Sequence, residues 1–134
     1  MFRSMDTATA GLVAQRQRIE VIAGNIANKD VTRDADGNKN PFQRRFVEFY
    51  AKPAPSGGEP GIGVKVDIDR KTPPRRVEDR GHPDAGPDGF VNYPGINIQS
   101  EMVDAIAASR AYEANLTSAQ FSRQMIEQTL KLLQ

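Results

Sequence analysis

His82 is the only histidine of the chain, and it sits among carboxylates in Asp79-Arg80-Gly81-His82-Pro83-Asp84. An imidazole so flanked has two chemical uses, as a metal ligand or as a general base. Zinc sites combine several His or Cys ligands, and the chain has neither a second histidine nor a cysteine. The favoured reading is therefore a turn residue held extended by the proline that follows it. Asp34-Ala35-Asp36-Gly37-Asn38 spells the start of a calcium loop. The sixth and twelfth positions of that loop need glycine and a carboxylate, and here they are Lys39 and Arg45. Gly61-Ile62-Gly63 opens like a dinucleotide fingerprint, but Val66 stands where the third glycine belongs and no helix is expected after it.

Arg44-Arg45 and Arg75-Arg76, with Phe42, Phe46 and Tyr50 nearby, have the ingredients of a nucleic-acid surface. Glu48, Asp67, Asp69, Glu78 and Asp79 are interspersed, so no field of one sign is expected. Ionic contacts between subunits, or a solvated face, are preferred. Asn115-Leu116-Thr117 matches a glycosylation acceptor, yet it falls within a helical stretch and is read as chance. No catalytic residue, metal, cofactor or small-molecule substrate is assigned. The expectation is a protein that is not an enzyme.

Bulk properties narrow the class further. Net charge is +1 over 134 residues, too balanced for a nucleic-acid or membrane-surface binder that works by field alone. Mean hydropathy is −0.56, and no window approaches the roughly 18 apolar residues of a membrane span. The polar start Arg3-Ser4, followed by Asp6, gives no secretory apolar stretch. The length argues for one unit with a modest core.

Three textures follow one another along the chain. From about Ser4 to Asn28 there is no proline, and Met5, Ala8, Leu12, Ile19, Ile22 and Ile26 recur at helical spacing. Ser4 is the expected N-cap, and Asn25 and Asn28 mark the expected exit. Residues 29–96 hold every proline and read as short extended pieces with turns at Asp36-Gly37 and Asp88-Gly89. Val64, Val66 and Ile68 alternate with Lys65, Asp67 and Asp69, the pattern of a half-buried strand. Arg45 to Tyr50 is a second expected strand, and Ala51 to Gly63 an expected mobile loop.

The last stretch, 97–134, carries a three-four seam of Met102, Ala105, Ser109, Tyr112, Leu116, Ala119, Arg123, Ile126, Leu130 and Leu133. Glu127 and Lys131 are spaced for an ion pair one turn apart. A helix of about 35 residues extends roughly 50 Å, whereas a compact domain of this size has a radius of gyration near 14 Å. The second helix therefore cannot bury its whole seam within its own chain. Small residues such as Ala10, Gly11 and Ala14 on the first helix, and Ala107, Ala108 and Ala111 on the second, permit close approach. The expected class is α+β, with residues 1–28 and 97–134 paired as a coiled-coil-like inner layer and residues 29–96 as a β-containing outer layer. Such an architecture points to a polymer.

Several segments resemble the axial proteins of the bacterial flagellum, the rod and hook subunits. Val21-Ile22-Ala23-Gly24-Asn25-Ile26-Ala27-Asn28 is similar to their N-terminal signature, with Gly24 where asparagine is usual. Glu101 to Ile106, followed by Ser109-Arg110-Ala111-Tyr112-Glu113-Ala114-Asn115, is similar to their C-terminal signature. Gly81-His82-Pro83-Asp84-Ala85, Gly89-Phe90-Val91 and Tyr93-Pro94-Gly95-Ile96-Asn97 resemble the proximal-rod members in particular, with Phe90 where Tyr is common and Gly95 where Asn is common. Asp34 to Arg44 matches less well.

The resemblance implies a structural subunit of the basal-body rod, located in the span of the periplasm. Its partners would be copies of itself and other rod proteins. Delivery would be through the flagellar type III export apparatus, without direct membrane insertion, and Phe2 and Met5 are the export-signal candidates. The expected subunit-interface residues are Leu12, Ile19, Ile22, Asn25, Ile26 and Asn28 on the first helix. On the second they are Glu101, Met102, Ile106, Arg110, Tyr112, Asn115, Leu116, Ile126 and Leu130. For Asn25 and Asn28 a helix cap remains the alternative, and for Arg110, Tyr112 and Asn115 a plain helix surface. Two rival identities remain: a different small rod protein, or a soluble helical adaptor that binds one partner helix.

Overall fold

The structure is a computed structural model that describes residues 2–53 and 61–132, with side chains from Met5 onward. Helix α1 spans Phe2–Ala27, and helix α2 spans Ile98–Leu132. Between them the described residues form four strands: β1 (Arg45–Lys52), β2 (Gly61–Ile68), β3 (Arg75–Glu78) and β4 (Phe90–Tyr93). The strands form two separate antiparallel pairs, β1 with β2 and β3 with β4. The fold is α+β. α1 and α2 pack against each other, and the β1–β2 hairpin lies on α1.

Local chemistry explains most element ends. Asn97 caps α2, its Oδ1 accepting from the Ser100 amide at 3.2 Å. α1 begins at Phe2, ahead of Ser4, so Ser4 lies inside the helix rather than capping it. α1 ends without a left-handed residue, since the only positive φ angles among the described residues belong to Gly37 and Gly89. Asn28 instead turns its side chain back to donate to the Gly24 carbonyl at 2.7 Å. Gly37 and Gly89 sit in the two expected Asp-Gly turns, where φ near +80° excludes most side chains.

The hairpin is longer than expected. Ala51 and Lys52 continue β1, and Gly61 to Gly63 open β2, so these residues of the expected 51–63 loop are strand; residues 54–60 lie outside the described residues. Its register sets Val47 opposite Val66 and Phe49 opposite Val64, which puts these four on one face. That face is poorly covered: Phe49, Val66 and Ile68 are all exposed, so the half-buried strand expected from the alternation is mostly open. Tyr50 lies across from Gly63, and its ring occupies the space a side chain there would need, 2.4 Å from a Cβ.

The β3–β4 pair is held by side chains around it. Val77 pairs with the fully buried Val91, and the Arg75 and Arg76 guanidinium groups lie over the rings of Tyr93 and Phe90. Asp84, nearly buried, accepts from Thr32 Oγ1 at 2.6 Å and from Arg33 Nε at 2.6 Å. These two donors, Arg33 foremost, hold its carboxyl below the usual carboxylate range. The His82 ring accepts from the Asp84 amide at 3.0 Å, which gives the histidine a turn-building role.

The core is thin. Among the described residues the buried apolar side chains besides Pro94 are Ala8, Ala14, Ile22, Val91, Ile96 and Ala108, and half of these six are alanine. Burying a leucine-sized side chain contributes about 1.5–3 kcal/mol, and an alanine far less. Ordering a residue's backbone costs about 1–2 kcal/mol.

Candidate assembly interface

The inner face of the helix pair is built from small and polar residues. On α1 the covered positions Ala8, Gly11, Gln15, Arg18, Ile22 and Asn25 follow one three-four stripe. On α2 the corresponding stripe passes through Glu101, Ala105, Ala108, Tyr112, Asn115, Ala119, Ser122 and Ile126. The helices run antiparallel. Asn25 Nδ2 donates to Glu101 Oε2 at 3.0 Å near one end, and toward the other a Cβ on Gly11 would lie 2.8 Å from Asn115 Nδ2. Fourteen residues separate Gly11 from Asn25 and fourteen separate Glu101 from Asn115, so the contacts are two heptads apart on both helices.

Glu101 is the largest fully buried side chain, with 1% of its surface exposed. A carboxylate in that position requires partners, and it has them. Arg44 Nε donates to Glu101 Oε1 at 2.5 Å, and Asn25 occupies the other oxygen. Asn25, equally buried, also exchanges two hydrogen bonds with the backbone of Arg45: its Nδ2 donates to the carbonyl at 2.7 Å and its Oδ1 accepts from the amide at 2.9 Å. Arg18 adds an ion pair to Asp104 at 3.6 Å. One cluster thus ties the end of α1, the start of α2 and the start of β1. Its polar groups fix register in a seam whose small residues define it weakly.

The outer face of α2 is the reverse. Met102, Val103 and Ile106 are more than half exposed, and Leu116, Phe121, Met125, Leu130 and Leu132 are exposed as well. Between the two helices and the paired strand residues Tyr50, Ala51, Gly61 and Ile62 runs an open groove of about 1020 Å³, walled by Ala8, Gly11, Ala14, Ala111 and Ala114. Gln15 Oε1 beside it is buried with no hydrogen-bond partner among the described residues. A monomeric chain has no use for so much uncovered apolar helix.

Comparison with known proteins places this geometry. Residues 5–33 match the family described as flagella basal body rod protein, and residues 88–132 match the flagellar basal body rod FlgEFG protein C-terminal family. The chain is 37% identical to the flagellar basal-body rod protein FlgC of Borreliella burgdorferi, over all of this chain and 98% of that one. It belongs to the FlgC family. Escherichia coli FlgC is 35% identical over 95% of this chain and 93% of its own, and Bacillus subtilis FlgC 31% identical over 98% and 97%. The two family matches cover α1 and α2, the elements that form the seam.

Within this FlgC relative, the expected interface residues divide between the two faces. Ile22, Asn25 and Glu101 are buried inside the chain, and Tyr112, Asn115 and Ile126 lie along the same inner stripe. Met102, Ile106, Arg110, Leu116 and Leu130 are exposed. Leu12, Ile19, Ile26 and Asn28 are half-covered on the flanks of α1, and Met5 is exposed; the side chain of Phe2 lies outside the described residues.

The expected α2 seam is displaced. Positions 105, 112, 119 and 126 keep their place, but the alternating positions are 101, 108, 115 and 122 rather than 102, 109, 116 and 123; Leu133 lies outside the described residues. Glu127 pairs with Arg123 at 3.0 Å rather than with Lys131. Sequence reasoning named Gly11 and Ala108 as small residues that permit close approach without placing them on the seam, took Arg44 for a surface charge, and missed Ser122. For Gly11 and Ala108 a signal existed in the three-four recurrence of small residues; for Arg44, which arrives from a distant loop, none did.

Proposed function

We propose that this chain is a structural subunit of the flagellar basal-body rod, which assembles with copies of itself and with other rod proteins through its terminal helices. The observation that carries the reading is the division of α2. Its inner face meets α1 through small and polar groups, while Met102, Val103, Ile106 and Leu116 are left outside. Apolar side chains of that size stabilise a docked neighbour by about 1.5–3 kcal/mol each when fully buried. A polymer supplies such a neighbour to every copy. No reaction is assigned to it, and its residues are read as positioning and contact groups.

In this reading residues 1–28 and 97–134 form an inner layer and residues 29–96 an outer one. The chain reaches the rod through the flagellar type III apparatus, with Phe2 and Met5 contributing to recognition. Removing residues 1–5 is expected to lower export into the medium while leaving the soluble cytoplasmic pool intact, as measured by immunoblotting of both fractions. The principal test is mass spectrometry of salt-washed basal bodies from the source bacterium. Stoichiometric recovery of peptides from this chain is expected. Its absence from basal bodies, together with a fixed small complex in the soluble fraction, would move the assignment to a helical adaptor.

A further inference from the structure

The outward faces of the two helices carry complementary heptad stripes. On α1 the stripe is Thr9, Val13, Arg16, Glu20, Ala23 and Ala27, and every one of these residues is exposed. On α2 it is Gln99, Val103, Ile106, Arg110, Glu113 and Thr117, again all exposed. Each stripe advances by alternating steps of three and four residues, so each keeps to one side of its helix. Each spans about 27 Å at 1.5 Å per residue.

Laid antiparallel, five of the six positions of the α2 stripe of one copy match the α1 stripe of another, leaving Thr9 and Gln99 at the two ends. Arg110 meets Glu20, and Glu113 meets Arg16. In the same register Ile106 falls on Ala23 and Val103 on Ala27, so each large apolar side chain faces a small one. Gly24, next to Ala23, has open space on its outer side, since nothing lies within 4 Å of a Cβ built there. A parallel arrangement with Arg110 on Glu20 would set Arg16 against Ile106 and Glu113 against Ala23, and lose both matches. Pairing two α2 stripes with each other satisfies Arg110 and Glu113, but leaves Val103 and Ile106 facing Gln120 and Thr117.

We infer that the outer face of α2 docks on the outer face of α1 of a second copy, so that helices alternate α1, α2, α1, α2 around a ring or along a shallow helix. This deepens the rod-subunit reading and rests on it. The contact is heterologous, so it repeats from copy to copy and either closes or propagates. Within one copy Arg16 and Glu20 are an exposed pair 3.6 Å apart, so they are free to turn to a partner at little cost.

The chain has no cysteine, which makes cross-linking clean. In the proposed register Val13 of one copy meets Thr117 of the next. Within a copy these positions point away from each other, on the order of 15 Å apart, far beyond the reach of a disulfide. Basal bodies purified from cells making Val13→Cys/Thr117→Cys should yield covalent oligomers of this chain under mild oxidation. Adding Glu20→Arg should lower that yield about tenfold or more, because an arginine then faces Arg110. Adding both Glu20→Arg and Arg110→Glu should restore it. Three results would overturn the inference: chain present in basal bodies without the cross-link, a cross-link indifferent to Glu20→Arg, or cross-linking by Thr117→Cys alone. Loss of the parent chain from basal bodies would instead overturn the rod reading.

Discussion

The two faces of the α1–α2 pair differ in a way opposite to that of an ordinary helical bundle. The inside carries Gly11, Ala108, Asn115, Ser122, Asn25 and Glu101, and the outside of α2 carries Val103, Ile106 and Met102. In a self-sufficient bundle the larger apolar residues would take the inner positions. Here the inner face specifies how one chain folds, through buried polar groups that have one good arrangement. The outer face holds the apolar area that assembly can cover. The difference teaches that register and affinity can be assigned to separate surfaces of the same helices.

If that division is right, changes on the inner face should act on the free chain and changes on the outer face on assembly. The largest effect on the free chain is expected from Glu101→Ala, which leaves Arg44 and Asn25 without their buried partner. A loss of about 3 kcal/mol is expected in denaturant unfolding, at the lower end of the range for breaking a buried ion pair, because Arg44 is partly exposed. Gly11→Leu comes next. The added side chain has to displace Asn115, and overpacking of this kind costs about 1–3 kcal/mol. Leu116→Asp should change unfolding of the free chain by no more than about 0.5 kcal/mol, since Leu116 is 40% exposed. It should nonetheless abolish incorporation into basal bodies, as seen by immunoblotting. An inner-face variant that folds normally, or a Leu116→Asp chain that still incorporates, would break the comparison.

The smallest effect is expected away from both faces. The Asp84 carboxyl is depressed by Arg33 and Thr32, so its contribution to stability is fully present above the unfolded carboxylate range, near pH 4, and is lost as pH falls through the folded value. The protection of amides in residues 30–40 and 80–90, measured against the intrinsic exchange rate at each pH, should therefore fall in acid in the native chain. In Asp84→Asn that acid step should be missing, with the α1 and α2 amides unchanged.

Much of this architecture was legible in the sequence. The absence of proline and the helical spacing located both helices, and the Asp-Gly pairs located both left-handed turns. The seam was misplaced for a single physical reason. Weighting by apolarity put Leu12, Ile19 and Ile26 on the seam where the α1–α2 contact uses Gly11, Arg18 and Asn25, and Met102 and Leu116 where it uses Glu101 and Asn115, although Asn25, Glu101 and Asn115 were among the expected interface residues. Each choice was one residue away, and each preferred a large apolar side chain to a small or polar one. The polar choices become favourable only with partners the one-dimensional pattern does not show, above all Arg44, which meets Glu101 from 57 residues away, and the Arg45 backbone, which meets Asn25 from 20 residues away. The β3–β4 pair was missed as well, because four-residue strands made of Arg75-Arg76-Val77-Glu78 and Phe90-Val91-Asn92-Tyr93 carry almost no periodicity.

The most direct measurement is thiol accessibility at one residue from each face, using the cysteine-free background. Ile106→Cys on the outer face and Ala108→Cys on the inner face would each be labelled with a maleimide, in the soluble chain and in purified basal bodies. The account predicts that the thiol at 106 reacts rapidly in the soluble chain and is protected after assembly, whereas the thiol at 108 reacts slowly in both. A thiol at 106 that stays freely reactive in the assembled rod would contradict the assignment of the outer face to assembly.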